Sequence, residues 1–328
     1  MKKNITVVGC GYWGKNLVRN FSELGALYSI CDPNTEIANK YAGQYNVKNS
    51  SFIEIINDLN IKGVVLAVPA HLHASMAIEA MNKGKHVFVE KPLAMNENES
   101  ELMIATAKKN DVKLMVGHLL QYHPIFKKIL KIVNANEIGE LNYIYSNRLN
   151  FGKVRTEENA LWSFAPHDVA VILRLLDEMP VEVACTGGSY LTPGLADVTV
   201  TTLLFQSDRR AHIFVSWLNP FKEQKLVVMG EQGMAVFNDV NVEDKLVLYD
   251  QRVDFQETMP VLQNDGQQVI ALSGDEPLRR ECEHYLECVA TRRTPLTDAE
   301  SGVRVLRVLE ACQESMRQNG QPISLDEH

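Results

Sequence analysis

The stretch Ile5-Thr6-Val7-Val8-Gly9-Cys10-Gly11-Tyr12-Trp13-Gly14 decides how the rest of the chain is read. A short β-branched run leads straight into three spaced glycines. From Lys15 to Leu24, apolar Leu17, Val18, Phe21 and Leu24 recur at helical spacing. Strand, glycine turn and helix together form the context in which a G-x-G-x-x-G pattern signifies a dinucleotide cradle. Gly9 permits the tight turn, Gly11 leaves room for a pyrophosphate, and Gly14 allows the helix to pack against the sheet. The unbonded N–H groups at the helix start favour phosphate charge. A second apolar run, Ala26 to Cys31, ends in Asp32, 18 residues after Gly14. A carboxylate there accepts hydrogen bonds from an adenosine ribose and repels a 2′-phosphate, so the pattern favours NAD over NADP.

Outward from this stretch, residues 1–120 alternate strand and helix, and the strands read as continuous apolar runs. Gly63 to Val68 ends at Pro69; Lys85 to Val89 ends at Glu90-Lys91-Pro92; Val112 to Val116 ends at Gly117-His118. Helices are expected over 34–44, after His71-Leu72-His73, and over 98–110. Such strands imply a doubly wound parallel sheet covered on both faces. Functional loops then lie at the strands' C-terminal ends, which carry the glycine turn, Asp32, Ala67 to His73, Glu90, Lys91 and His118.

Beyond residue 120 the pattern changes. Helices are expected over 124–133 and from Pro166 to Leu176, with a half-buried strand over 141–149 between them. Strands follow one another from Val181 to Phe255, and two helices, 275–292 and 298–317, close the chain. Runs of strands without intervening helices predict a large, mostly antiparallel sheet. The expected architecture is therefore an N-terminal Rossmann domain, 1–120, and a C-terminal α+β domain, 121–328, that binds substrate. A sheet with only one helix-covered face is expected to bury the other by homo-oligomerisation, as a dimer or tetramer.

The chain has 328 residues, 45% hydrophobic and 23% charged, with a formal charge of −8. That balance argues against nucleic-acid binding. The first strand starts too early for a signal peptide, and no apolar run reaches a membrane span, so a cytoplasmic protein is expected. The six cysteines form no C-x-x-C pair and read as buried thiols in a reducing compartment. His71, His73, His118 and His123 show no metal-ligand spacing, and no metal is expected.

Glu90-Lys91-Pro92, after the glycine turn and after Ala67-Val68-Pro69 with His71 and His73, resembles the glucose–fructose oxidoreductase/inositol dehydrogenase (Gfo/Idh/MocA) family. The resemblance extends along nearly the whole chain. It implies NAD(P)-dependent hydride transfer at a ring carbon of a sugar or cyclitol, a catalytic Lys at Lys91, and a catalytic His at His167, within Trp162-Ser163-Phe164-Ala165-Pro166-His167-Asp168. Many members have Asp four residues before that His; here it is Ser163. A neutral imidazole is a suitable base for the alcohol proton, and an ammonium steadies the developing alkoxide; the sequence leaves these two roles exchangeable.

Residues 117–124 and 161–168 are most similar to the family's nucleotide-sugar branch, whose members oxidise the 3-hydroxyl of a UDP-linked N-acetylglucosamine or of its uronic acid. A PLP-dependent aminotransferase then uses the ketone, for diamino-sugar (lipid A) or surface-polysaccharide synthesis. The expected substrate contacts are Lys91, His118, Tyr122, Arg148, Trp162 and His167. Tyr122 and Trp162 read equally as core aromatics. Arg148, Lys153 and Arg155 read as partners of a carboxylate or diphosphate, or as solvated charges. An inositol or free-sugar dehydrogenase and a non-catalytic NAD-bound sensor are the alternatives.

Overall fold

The computed structural model describes residues 3–152, 154–271 and 276–325. Lys153 and the expected helix start at Asp275 lie outside these residues. The chain forms two compact units, Met1–Tyr122 with Asp275–Leu306, and His123–Gly274 with Arg307–His328. A single cut near residue 120 therefore does not divide it, because the chain returns to the first unit.

The first unit is built from β1 (Ile5–Val8), α1 (Gly14–Glu23), β2 (Leu27–Cys31), α2 (Thr35–Tyr45), β3 (Lys48–Asn49), α3 (Phe52–Asn57), β4 (Gly63–Leu66), α4 (His73–Asn82), β5 (His86–Glu90), α5 (Glu97–Lys109) and β6 (Leu114–Gly117). The six strands lie in the order β3-β2-β1-β4-β5-β6, and every pairing is parallel. β1, β4 and β6 are buried throughout, as a sheet covered on both faces requires. Leu17, Val18 and Phe21 of α1 are fully buried against it.

The second unit contains α6 (Pro124–Asn134), β7 (Leu141–Phe151), α7 (Ala160–Leu176), β8 (Pro180–Gly188), β9 (Val198–Phe205), β10 (Arg210–Ser216), β11 (Leu218–Gly230), β12 (Met234–Asn238), β13 (Leu246–Gln256) and β14 (Met259–Val269). α8 (Pro277–Thr291) follows, then α9 (Ala299–Arg317) and β15 (Ile323–Ser324). Nine strands lie in the order β14-β13-β12-β11-β7-β10-β9-β8-β15, antiparallel except for β7 beside β10. Inward Ile144, Leu203, Ala211, Ile213 and Val215 are buried, and α7 packs on β7, β9 and β10.

Two local departures from the sequence expectation matter for the site. α7 begins at Ala160, six residues before Pro166, because Asn159 caps it: Trp162 N donates to Asn159 Oδ1 (3.1 Å). Pro166 is thus inside the helix, and His167 closes its second turn instead of opening its first. α8 belongs to the first unit, where Leu278, Cys282, Tyr285 and Leu286 join the core formed by Phe21, Phe88 and Tyr122. Among the described residues, no helix is long and apolar enough to cross a membrane.

Candidate active site

The turn after β1 requires its glycines for distinct reasons. Gly9 has φ +89°, and a Cβ there would lie 2.5 Å from Ala67 O, where the end of β4 passes. A Cβ on Gly14 would lie 1.9 Å from Gly9 O. Around Gly11, by contrast, a Cβ would meet nothing within 4 Å, so the exposed backbone between the two fixed glycines is open to a ligand. Asp32, at the end of β2, accepts from Cys10 N through Oδ2 (2.7 Å) and from Asn34 N through Oδ1 (2.9 Å). The carboxylate is thereby held beside the cradle. These features fit a dinucleotide: a tight turn, an uncrowded backbone approach, a helix N-terminus and a fixed carboxylate.

Trp13, 37% exposed, reaches from this turn to β5, its Nε1 donating to Glu90 Oε1 (2.6 Å). Tyr12 is exposed, with Lys15 Nζ 5.4 Å from its ring centre. Ala67 and Val68 are half-buried, and Pro69 and His71 are exposed. Lys91 is half-buried just past the end of β5. Burial pushes the Glu90 carboxyl up to about 7, against the opposing effects of the Trp13 hydrogen bond and the Lys91 charge. His118, just past β6, is 2% exposed, and among the described residues neither ring nitrogen has a hydrogen-bond partner. Burial, reinforced by the Lys91 charge, lowers it to about 4, so it is a neutral imidazole near the lysine.

His73 departs from its expected place at the cofactor. It is 1% exposed, with Nδ1 2.7 Å from Pro92 O and Nε2 2.9 Å from Val68 O. Both nitrogens serve the protein, so His73 braces the Lys91 loop against the loop after β4. Tyr122 is likewise a core aromatic and not a substrate contact. It is 1% exposed, its hydroxyl lies 3.1 Å from Thr297 Oγ1, and its ring packs on His284.

In the second unit His167 is half-buried on α7. Asp168 beside it is 1% exposed and fully engaged. Its Oδ1 accepts from Ser146 Oγ (2.6 Å) and Arg148 Nη2 (2.9 Å), and its Oδ2 accepts from Arg148 Nε (2.8 Å). Arg148, expected at the substrate, instead forms this bidentate pair, which ties α7 to β7. Ser163 is itself engaged: its Oγ accepts from Arg155 Nε (2.8 Å), and Arg155 also pairs with Glu158 (3.0 Å). Trp162 is half-buried, its Nε1 donating to Gln313 Oε1 (3.2 Å). Among the described residues, no group of three or more His, Cys, Asp or Glu could hold a metal ion.

One buried acid was not anticipated. Glu281 of α8 is 1% exposed, and among the described residues neither carboxyl oxygen has a hydrogen-bond partner. The sequence did carry a signal, because Glu281 stands on the apolar stripe of Leu278, Cys282 and Tyr285, one turn from each end.

A parallel six-stranded sheet, a glycine cradle and an acid at the second strand define the class: an NAD-binding oxidoreductase. The comparisons supply the family. Residues 3–118 match the model of the "oxidoreductase family, NAD-binding Rossmann fold", and residues 126–236 match the GFO/IDH/MocA C-terminal domain. The chain belongs to the Gfo/Idh/MocA oxidoreductase family. A solved structure of UDP-N-acetylglucosamine 3-dehydrogenase from Acidithiobacillus ferrooxidans superposes with a TM-score of 0.86 at 21% identity, covering 96% of this chain and 98% of that one. The aldose-aldose oxidoreductase of Caulobacter crescentus gives a TM-score of 0.84 at 21% identity, with 99% and 100% covered. The scyllo-inositol 2-dehydrogenase (NAD(+)) of Bacillus subtilis (strain 168) is 26% identical over 98% of this chain and 95% of its own.

Proposed function

We propose that the protein oxidises the 3-hydroxyl of a UDP-linked N-acetylhexosamine, UDP-N-acetylglucosamine first, to the 3-keto sugar. The reaction type is carried by one observation: Lys91 stands just past the C-terminal end of β5, in the sheet that bears the glycine cradle, where its charge acts on both the Glu90 carboxyl and the buried, neutral His118. The substrate choice is supported by the likeness to the Acidithiobacillus enzyme along almost the whole chain. NAD, when bound, supplies the hydride acceptor. Lys91 hydrogen-bonds the reacting oxygen and stabilises the charge that builds on it. His167 takes the hydroxyl proton, its helix anchored by the neighbouring Asp168–Arg148 pair. The ketone is the natural substrate of an aminotransferase.

A second reading, oxidation of an uncharged cyclitol, is favoured by the fate of Arg148. Of the three cations read as partners of a carboxylate or diphosphate, Arg148 is bonded to Asp168 and Arg155 to Ser163 and Glu158, while Lys153 lies outside the described residues.

The test is incubation with NAD and UDP-N-acetylglucosamine, with an aminotransferase and amino donor to draw off the ketone, read by mass spectrometry. The expected product is the UDP-diamino-sugar. Lys91→Ala and His167→Ala should each lower turnover by about 10²–10⁴-fold, the usual contribution of such groups. Turnover with the UDP-uronate alone keeps the chemistry and changes the sugar. Turnover with inositol alone selects the second reading. NAD binding without turnover of any UDP-sugar overturns the first.

A further inference from the structure

Lys91 stands between two ties that differ in kind. On its C-terminal side His73, 1% exposed, links Pro92 O to Val68 O. On its N-terminal side Glu90 Oε1 accepts from Trp13 Nε1 (2.6 Å), and Glu90 Oε2 accepts from the Lys91 backbone N–H (3.4 Å). One carboxyl group therefore bridges the glycine turn and the lysine. The sheet leaves room for it. Glu90 lies on the same strand face as buried Phe88, and a Cβ on neighbouring Gly117 would lie 2.9 Å from Glu90 Oε2.

The sheet order shows what this bridge crosses. β1 and β5 are not neighbours; β4 runs between them, and the strand order reverses between β1 and β4. The Trp13–Glu90 bridge thus spans two strand spacings, about 10 Å, across the crevice in which such sheets bind their ligands. Trp13 is also the N-cap residue of α1, its carbonyl accepting from Asn16 N (2.9 Å). Its backbone therefore belongs to the turn that would seat a pyrophosphate.

We propose that Glu90 is a positioning residue that carries occupancy of the glycine turn to Lys91: a pyrophosphate seated in the turn fixes Trp13 and, through the Trp13–Glu90 bond, steadies the Lys91 loop before any sugar binds. The His73 tie is buried and beyond a ligand's reach, so it holds the loop at all times. The Trp13 tie starts in the turn itself and responds to what fills it. The inference rests on the role given above to Lys91, and its test omits sugar and turnover, so the two fail separately.

The probe is ADP-ribose, which has the adenosine, the pyrophosphate and the second ribose of the coenzyme but no nicotinamide ring. The full chain is pulsed with acetic anhydride, with and without saturating ADP-ribose. Acetylation of Lys91 is read by peptide mass spectrometry against Lys83, which is exposed just before β5 begins. ADP-ribose should slow Lys91 acetylation by about fivefold, the lower end of ordinary coupling between sites. Trp13→Phe loses the indole N–H and Glu90→Ala loses the acceptor; each should still bind ADP-ribose by calorimetry but show no slowing. Glu90→Gln, which keeps an acceptor oxygen, should show it again. Trp13→Phe decides the matter if Glu90→Ala fails to fold. No slowing in the wild type, equal slowing in Trp13→Phe through direct shielding by the ligand, or its loss in Glu90→Gln would each overturn the proposal.

Discussion

Asp168 of α7 and Glu281 of α8 are each 1% exposed, and the chain treats them in opposite ways. Asp168 has three hydrogen bonds from Ser146 and Arg148, and its charge is matched. Among the described residues Glu281 has none, and burial holds its carboxyl well above the usual range. Equal burial therefore gives two different environments, one saturated with donors and one without. The paired acid acts as a structural tie, and the unpaired one is pushed by burial toward its neutral form.

The contrast can be broken most forcefully at Asp168. Asp168→Ala leaves the Arg148 guanidinium buried without its partner, an error that costs about 3–5 kcal/mol. Denaturant unfolding should register that loss, and a change below 1 kcal/mol would mean that the pair is not a tie. Glu281→Gln should act with the opposite sign and should depend on pH. Above about pH 4.3 an unfolded glutamate is ionised while the folded Glu281 still holds its proton, so wild-type stability falls as pH rises toward the folded value. Removing that one proton gives the variant an advantage growing by about 1.4 kcal/mol per pH unit through this window. Parallel unfolding curves at several pH values test it, and an unchanged pH slope would place the charge elsewhere. The smallest effect belongs to the α7 cap. Asn159→Ala should cost about 1 kcal/mol through the lost bond to Trp162 N.

Much of the first unit was legible because its signals are local. Continuous apolar runs gave β1, β2, β4, β5 and β6 to within a residue or two, and the glycine spacing with Asp32 located the cradle. β3 was missed because it is two exposed residues, and α3 because only the Ser51–Glu54 capping box marks it. The start of α7 was misplaced because Pro166 reads as a first-turn proline; the deciding signal was Asn159. The choice between pocket and core for Tyr122, the bracing role of His73 and the pairing of Arg148 were not decided by the sequence, for one reason. Each depends on a partner distant in sequence or on a loop carbonyl: Thr297, Pro92 O and Asp168. The return of α8 to the first unit is long-range in the same sense, and it buries Glu281 there.

Asp32 has a consequence for anyone wishing to retool the coenzyme preference. The natural exchange toward a phosphorylated dinucleotide replaces this acid with a neutral or basic residue. Here the same carboxylate holds Cys10 N, inside the glycine turn itself. Selectivity and loop architecture share one side chain, so a swap at position 32 alone would loosen the cradle it was meant to re-aim. A successful redesign must supply another acceptor for that amide first.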